Sequence, residues 1–312
     1  MITFDRLKLR ITPDLIIGYD NSQFFNRTLT TEGFIKYLYK NRDINLDISV
    51  QPKLNLATIE FTSKVLKERY PALISSETIE ECFEKINRLE ICELVSRRIL
   101  LDATVSKCDV TKDIETNTLQ LLKDIALAYP GKANWSVQSY LGKRGFVLNK
   151  GVSSPESRRR LSCYDKEFEM IKKNKSFLDS LDNREEVIEY FKGKLRFELN
   201  LYKPKAIKEV LKIPDANLQS VLTSTANPIR DIWWQGVKQP QHGKKIRGIE
   251  DFHRCNTLEL YGHNFDLIRL KLSHIYESSN GINREIAKLK AVSQAMKPVD
   301  FSWIDEILIQ AA

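Results

Sequence analysis

Alternation of apolar and polar residues, the mark of a half-buried strand, recurs along the first two thirds of the chain. Residues 2–11 alternate through Ile2, Phe4, Leu7, Leu9 and Ile11, with a break of phase at Asp5-Arg6. Leu46, Ile48 and Val50 share one face of a strand over 43–50. A second strand over 53–61 carries Leu54, Leu56 and Thr58, and Pro52 marks the turn between the two. Trp135–Leu141 and Gly145–Leu148 form another pair, joined at Gly142-Lys143-Arg144-Gly145. The cleanest alternation is Lys194–Leu201. There Leu195, Phe197, Leu199 and Leu201 face a core, and Arg196, Glu198 and Asn200 project from the opposite face.

Helical spacing interrupts these strands. Glu32–Tyr39 is expected as a short helix, and Ser75-Ser76-Glu77-Thr78 offers N-cap chemistry for a helix to about Glu93. In that helix Ile79, Cys82, Phe83 and Ile86 form a core stripe. Further helices are expected over Thr116–Tyr129, ended by Pro130-Gly131, over 167–175 and over 179–192. Beyond Pro204 the spacing is helical, at Ile207, Val210 and Leu211 and again across Ile282–Met296. The chain therefore divides into a strand-rich region, 1–204, and a helical C-terminal region, 205–312. No internal repeat appears.

Two more stretches read as strands with polar groups set among apolar ones. Residues 97–110 place Ile99, Leu101, Ala103 and Val105 on one face and Asp102, Thr104 and Ser106 on the other. An aspartate central to so apolar a strand calls for a reason. Residues 158–166 place Arg158, Arg160, Ser162, Tyr164 and Lys166 on one face, a tyrosine among cations.

With 49 Lys+Arg against 41 Asp+Glu, the net charge is +8 and the pI near 9.1. That balance favours a polyanionic partner without demanding one. The cysteines, Cys82, Cys92, Cys108, Cys163 and Cys255, lack any C-x-x-C pair and read as free thiols of a reducing compartment. No apolar run is long enough for a membrane span, and the N-terminus lacks the shape of a signal peptide. A cytoplasmic protein without a membrane partner is expected.

If the three polar-faced strands share one antiparallel sheet, Asp102, Tyr164 and Glu198 converge on one surface. Carboxylates suit Mg²⁺ or Mn²⁺, which leave coordination positions for a phosphate. A metal, Lys166 and arginines favour the phenolate and offset transition-state charge. Each element has a plainer role. Tyr164 can pack against cations, Asp102 can pair with Arg97 or Arg98, Glu198 can pair across a strand, and Arg158–Arg160 can be a generic basic patch. Asp109 falls on the face opposite Asp102 unless a bulge intervenes.

The order of three segments carries a resemblance. They are Arg98-Ile99-Leu100-Leu101-Asp102-Ala103-Thr104, the R-x-x-x-x-Y-x-K stretch from Arg159 through Tyr164 to Lys166, and Gly193-Lys194-Leu195-Arg196-Phe197-Glu198. Over roughly residues 1–210 the chain resembles the gene-II-type replication initiators of filamentous phages and, more distantly, the Rep_trans plasmid initiators of rolling-circle replication. It departs from the related HUH endonucleases in having no His-x-His pair, since His242, His253, His263 and His274 all lie C-terminal.

The resemblance implies an α+β fold around a central antiparallel sheet, HUH-endonuclease-like or RRM-like, with the helical C-terminal region adding DNA contacts or an oligomer interface. It implies a metal-dependent endonuclease and strand transferase of a phage or plasmid, acting in a bacterial host cell. The enzyme would nick and rejoin origin DNA, single-stranded or locally melted, through a phosphotyrosine. A host polymerase and a host helicase would be its partners. Tyr164 would be the nucleophile, Asp102 and Glu198 the Mg²⁺ or Mn²⁺ ligands, and Lys166 and Arg196 phosphate-contacting or supporting groups. Arg158, Arg159 and Arg160 would contact DNA. The alternatives are a non-catalytic single-stranded nucleic-acid-binding protein, and a relaxase or recombinase with the same tyrosine chemistry.

Overall fold

A computed structural model describes residues 1–116, 134–141, 144–151, 159–236 and 248–296. Its centre is a ten-stranded antiparallel sheet. In chain order the strands are β1 (Phe4–Ile11), β2 (Ile16–Ile17), β3 (Asn26–Leu29), β4 (Ile35–Asn41), β5 (Leu46–Gln51), β6 (Leu56–Thr62) and β7 (Glu93–Leu94). They continue with β8 (Thr104–Glu115), β9 (Trp135–Tyr140), β10 (Gly145–Lys150), β11 (Arg160–Asp165) and β12 (Lys194–Tyr202). The large sheet runs β3-β4-β5-β6-β1-β8-β12-β11-β10-β9, and β2 pairs with β7 apart from it. The α+β class and the antiparallel sheet are therefore as expected.

The sheet has an apolar face and a polar face. Leu7, Leu9, Ile48, Ile59, Phe61, Val110, Phe146, Leu161, Phe197 and Leu199 are buried in the main core. Helices α1 (Ile79–Asn87) and α2 (Ser96–Asp102) contribute Ile79, Cys82, Phe83, Ile86 and Ile99 to it. The stripe expected on α1 is buried throughout.

On the polar side α3 (Lys166–Lys173), α4 (Lys175–Asp179) and α5 (Arg184–Phe191) form a smaller core. Met170, Phe177, Leu178, Leu181, Val187 and Phe191 gather there around Tyr70, which lies in a 3-10 stretch, Ser63–Ala72. Helices α6 (Pro204–Leu211), α7 (Leu218–Leu222) and α8 (Pro228–Gly236) belong to the main core through Ile207, Leu211, Leu218, Val221, Ile232 and Trp233. The expected boundary after residue 204 thus cuts through one hydrophobic core. A separate cluster begins later, where α9 (Ile249–Leu260), α10 (Phe265–Leu272) and α11 (Ser279–Met296) bury Leu258, Ile268, Ile286, Leu289 and Val292 together.

Local expectations change in several places. The strand expected over 53–61 begins at Leu56, the helix expected to about Glu93 ends at Asn87, and the helix expected over 179–192 starts at Arg184. Glu32–Tyr39 is not a helix, because Ile35, Tyr37 and Tyr39 are strand formers and pair as β4 with β3 and β5. The strand expected from residue 97 begins at Thr104, since 96–102 is helical and buries only Ile99. Arginine and leucine suit that helix, and Arg98 pairs with Asp102 one turn on. The tyrosine strand ends at Asp165, whose side chain accepts from the Phe168 backbone N–H at 3.0 Å and caps α3. Most of the helix expected over Thr116–Tyr129 and the loop at 240–245 lie outside the described residues.

Candidate active site on the polar face

Antiparallel register places directly opposite residues on one face, so side chains line up in rows across the strands. The first row reads Tyr140, Gly145, Tyr164, Arg196, Asp113. One step along, the second reads Gln138, Val147, Ser162, Glu198, Thr111. The third reads Ser136, Asn149, Arg160, Asn200, Asp109 and, on β1, Arg6.

Tyr164 is 4% exposed, and its hydroxyl donates to Glu198 Oε1 at 2.5 Å. Glycine is required opposite it. A Cβ on Gly145 would stand 2.6 Å from the Tyr164 Cβ and 2.8 Å from the Cys163 carbonyl oxygen. The Tyr140 ring meets the Tyr164 ring edge-on, with centroids 5.5 Å apart. Lys166 Nζ lies 5.7 Å from the Tyr164 centroid.

Arg196 has no exposed surface and sits at the centre of a charged network. Its Nε and Nη2 donate to the two oxygens of Asp113 at 2.7 and 2.8 Å. Its Nη1 donates to Asp5 Oδ1 at 3.0 Å and to the Tyr70 hydroxyl at 2.9 Å. Lys166, also buried, donates to Glu169 at 2.8 Å. Both cations are therefore committed to other carboxylates, while the hydrogen-bond partner of Glu198 is the Tyr164 phenol.

The proton affinities follow from this arrangement. Burial, then the Asp5 charge, pushes the Glu198 carboxyl up to about 7 against the pull of Lys166 and Arg196. Burial and the adjoining Glu198 push the Tyr164 phenol well above its usual value. Burial alone would raise Asp5. Arg196, Lys166, Ser63 and Arg6 outweigh it and hold that carboxyl below its usual value.

Of the residues expected to form the site, Tyr164, Lys166, Arg196 and Glu198 come together. Lys166 does so from the first turn of α3 rather than from the strand, and Arg196 from a buried position committed to Asp113 and Asp5. Asp102 does not join them. It lies exposed at the end of α2, 3.5 Å from Arg98. Arg159 faces away, buried on the apolar side with Glu209 at 3.2 Å, so its place is against α6 rather than on DNA. Arg160 stands in the third row, half-buried. Arg158 lies outside the described residues.

The residues that sequence reasoning missed are Asp5, Tyr70, Asp113 and Glu169. A signal existed on β8, where Asp109, Thr111 and Asp113 alternate with Val110 and Ile114, the period of a strand with one buried face. Asp5 stands where the alternation of β1 breaks, and the register shifts there in the pairing with β8.

The divalent cation implied by the resemblance finds no support in an Asp102–Glu198 pair. Glu198 shares its face with two carboxylates of β8, Asp113 in the row before and Asp109 in the row after; Asp113 is held by Arg196, which leaves Asp109. Asp109 accepts from Asn200 at 2.8 Å and lies 3.6 Å from Arg6. Burial raises its carboxyl as well. Two carboxylates whose charge is disfavoured in this way fit a hard cation that takes its remaining ligands from water and phosphate. Among the described residues no group of three metal-ligating side chains stands together.

No family model matches the chain, and no curated protein matches it. Among solved structures it is similar to Methanococcus jannaschii TBP, with 13% identity over 70% of this chain and 97% of that one. The TM-score is 0.28, and a likeness that loose carries no argument. No helix among the described residues is long and apolar enough to cross a membrane.

Proposed function

We propose that this protein is a rolling-circle replication initiator that nicks and rejoins one DNA strand through Tyr164. The observation that carries the proposal is the Tyr164–Glu198 hydrogen bond. It joins two sequence segments, Y-x-K and R-F-E, that lie 34 residues apart and to each of which the resemblance gives a part in phosphate chemistry.

In the proposed reaction Glu198 takes the phenol proton and the Tyr164 oxygen attacks the scissile phosphorus. A tyrosine–phosphorus bond forms, the bond to the 3′ oxygen breaks, and that oxygen leaves with a proton from solvent. Rejoining runs in reverse. A 3′-OH displaces Tyr164, which recovers its proton from Glu198. Lys166 places positive charge beside the phenol, while Arg196 acts through others by holding Asp113, Asp5 and Tyr70. A divalent cation held by Asp109 and Glu198 would supply Lewis-acid polarisation of the phosphate.

A second reading has its own support. A tyrosine only 4% exposed, with its hydroxyl hydrogen-bonded, is also what a structural side chain looks like, in a sheet that binds single-stranded nucleic acid by other residues without cutting it.

One experiment separates the two. The protein is incubated with Mn²⁺ and single-stranded origin DNA of its own replicon and run on a denaturing gel. The expected result is a covalent adduct that disappears in Tyr164→Phe. Binding without an adduct favours the second reading, and an adduct that survives Tyr164→Phe removes Tyr164 from the chemistry.

A further inference from the structure

The Asn149–Arg160 end of the third row has no part in the chemistry above, which takes only Asp109 from that row. It lies four residues along β11 from Tyr164, ~13 Å at strand rise. Beside Ser136, Asp109 and Arg6, the row holds two amides and the Arg160 guanidinium, side chains of the kind that pair with base edges. Two of them differ sharply in how they are satisfied.

Asn200 is held, donating to Asp109 at 2.8 Å. Asn149 is 9% exposed and donates from Nδ2 to Gln138 Oε1 at 3.3 Å, but its Oδ1 is buried with no hydrogen-bond partner. Buried acceptors in native proteins nearly always have a donor. The residue directly opposite is Arg160, half-buried and in no ion pair among the described residues. An unpaired acceptor thus stands beside an uncommitted guanidinium, on the face that bears Tyr164.

We infer that Asn149 and Arg160 form a base-reading pocket, and that the base it takes is guanine in a single strand. Guanine sets two acceptors, N7 and O6, beside a donor, N1–H, whereas thymine has a single acceptor, O4, beside its N3–H. Arg160 donates to N7 and O6, and Asn149 Oδ1 accepts from N1–H. Arginine to guanine is also the commonest specific side-chain pairing with a base, and unstacked bases expose those edges to proteins. The inference rests on the proposed reading in that the sheet must bind single-stranded DNA, but it does not need the strand to be cut.

The test therefore uses Tyr164→Phe protein and fluorescence anisotropy with oligoadenylates carrying one central guanine, adenine, cytosine or thymine. The expected result is about tenfold tighter binding of the guanine oligonucleotide. That preference should fall to less than about twofold when Asn149→Leu or Arg160→Ala is added. Arg160 is half-buried, so its variant tests the pocket even if Asn149→Leu fails to fold. No guanine preference, or one unchanged in both variants, overturns the inference. Adduct formation by the wild type without a guanine preference defeats the pocket alone. A preference without any adduct leaves the pocket standing and defeats the nuclease reading.

Discussion

The two faces of the sheet show how differently neighbouring residues of one chain are used. On the apolar face Phe146, Phe197 and Trp233 pack ring against ring, and Arg159 is drawn in only with Glu209 beside it. On the polar face Arg160, one residue on, stands in a row of amides, and Arg196, one residue before Phe197, anchors a network of buried charge. Strand alternation alone sends adjacent side chains to opposite environments. The apolar face tolerates any good packing, whereas the polar face depends on partners contributed by strands far apart in sequence. A change on the polar face should therefore act through what it leaves unpaired.

The largest effect on the fold is expected from Arg196→Met, which strands Asp5 and Asp113 in a buried place. Chemical denaturation should show a loss of about 3–5 kcal/mol, the usual cost of breaking a buried ion pair from one side. The double variant Arg196→Met with Asp113→Asn should lose less than the sum of the two singles, because the pair acts as a unit. A loss under about 1 kcal/mol for the single variant would erase the contrast between the faces.

A smaller and pH-dependent effect is expected at Glu198. Its folded carboxyl titrates near 7, above the ordinary 4.5. A carboxyl raised in the fold binds its proton more tightly there than in the unfolded chain. It therefore costs nothing below about pH 4.5, and its penalty grows as pH rises toward 7. Glu198→Gln should accordingly be more stable than the wild type at pH 8, by on the order of 1–2 kcal/mol. The gain should vanish at pH 4.5 in melting experiments at the two pH values. The same variant should form no adduct. A site that destabilises the fold it belongs to is what a functional carboxylate predicts, and equal stability at both pH values would argue for a merely structural group.

The smallest effect is expected at Asp102. Exposed at the end of α2, Asp102→Asn should change stability by less than ~0.5 kcal/mol and leave adduct formation intact. Abolition of cleavage by that substitution would return Asp102 to the site and unseat Asp109.

Strands whose alternation was clean, at 46–50, 135–140, 145–150 and 194–201, formed where expected. So did the start of α1 and its four-residue stripe, although the helix ends at Asn87 rather than near Glu93 and no side chain caps its first turn. The failures fell where a local pattern served two structures equally well. The residues 97–102 alternate acceptably, yet form a helix because a single apolar contact, Ile99, is all that segment buries. Tyr39 and Ile35 suit strand pairing better than a lone short helix, but only the strands on either side make that pairing available.

By itself the sequence determined which side chains share a face within each strand, because period-two alternation is a property of the local backbone. It determined in this way that Tyr164 and Glu198 project from polar faces of their strands, and that Leu195, Phe197 and Leu199 are core. The tertiary structure alone decided which strands are neighbours and in what register. It set Tyr164 opposite Arg196 and within hydrogen-bond reach of Glu198, put Asp109 rather than Asp102 on the face they share, and brought Asp5 and Tyr70 to Arg196 across 191 and 126 residues of chain. Such contacts arise from burying one face of the whole sheet at once, a condition that no local stretch of sequence contains.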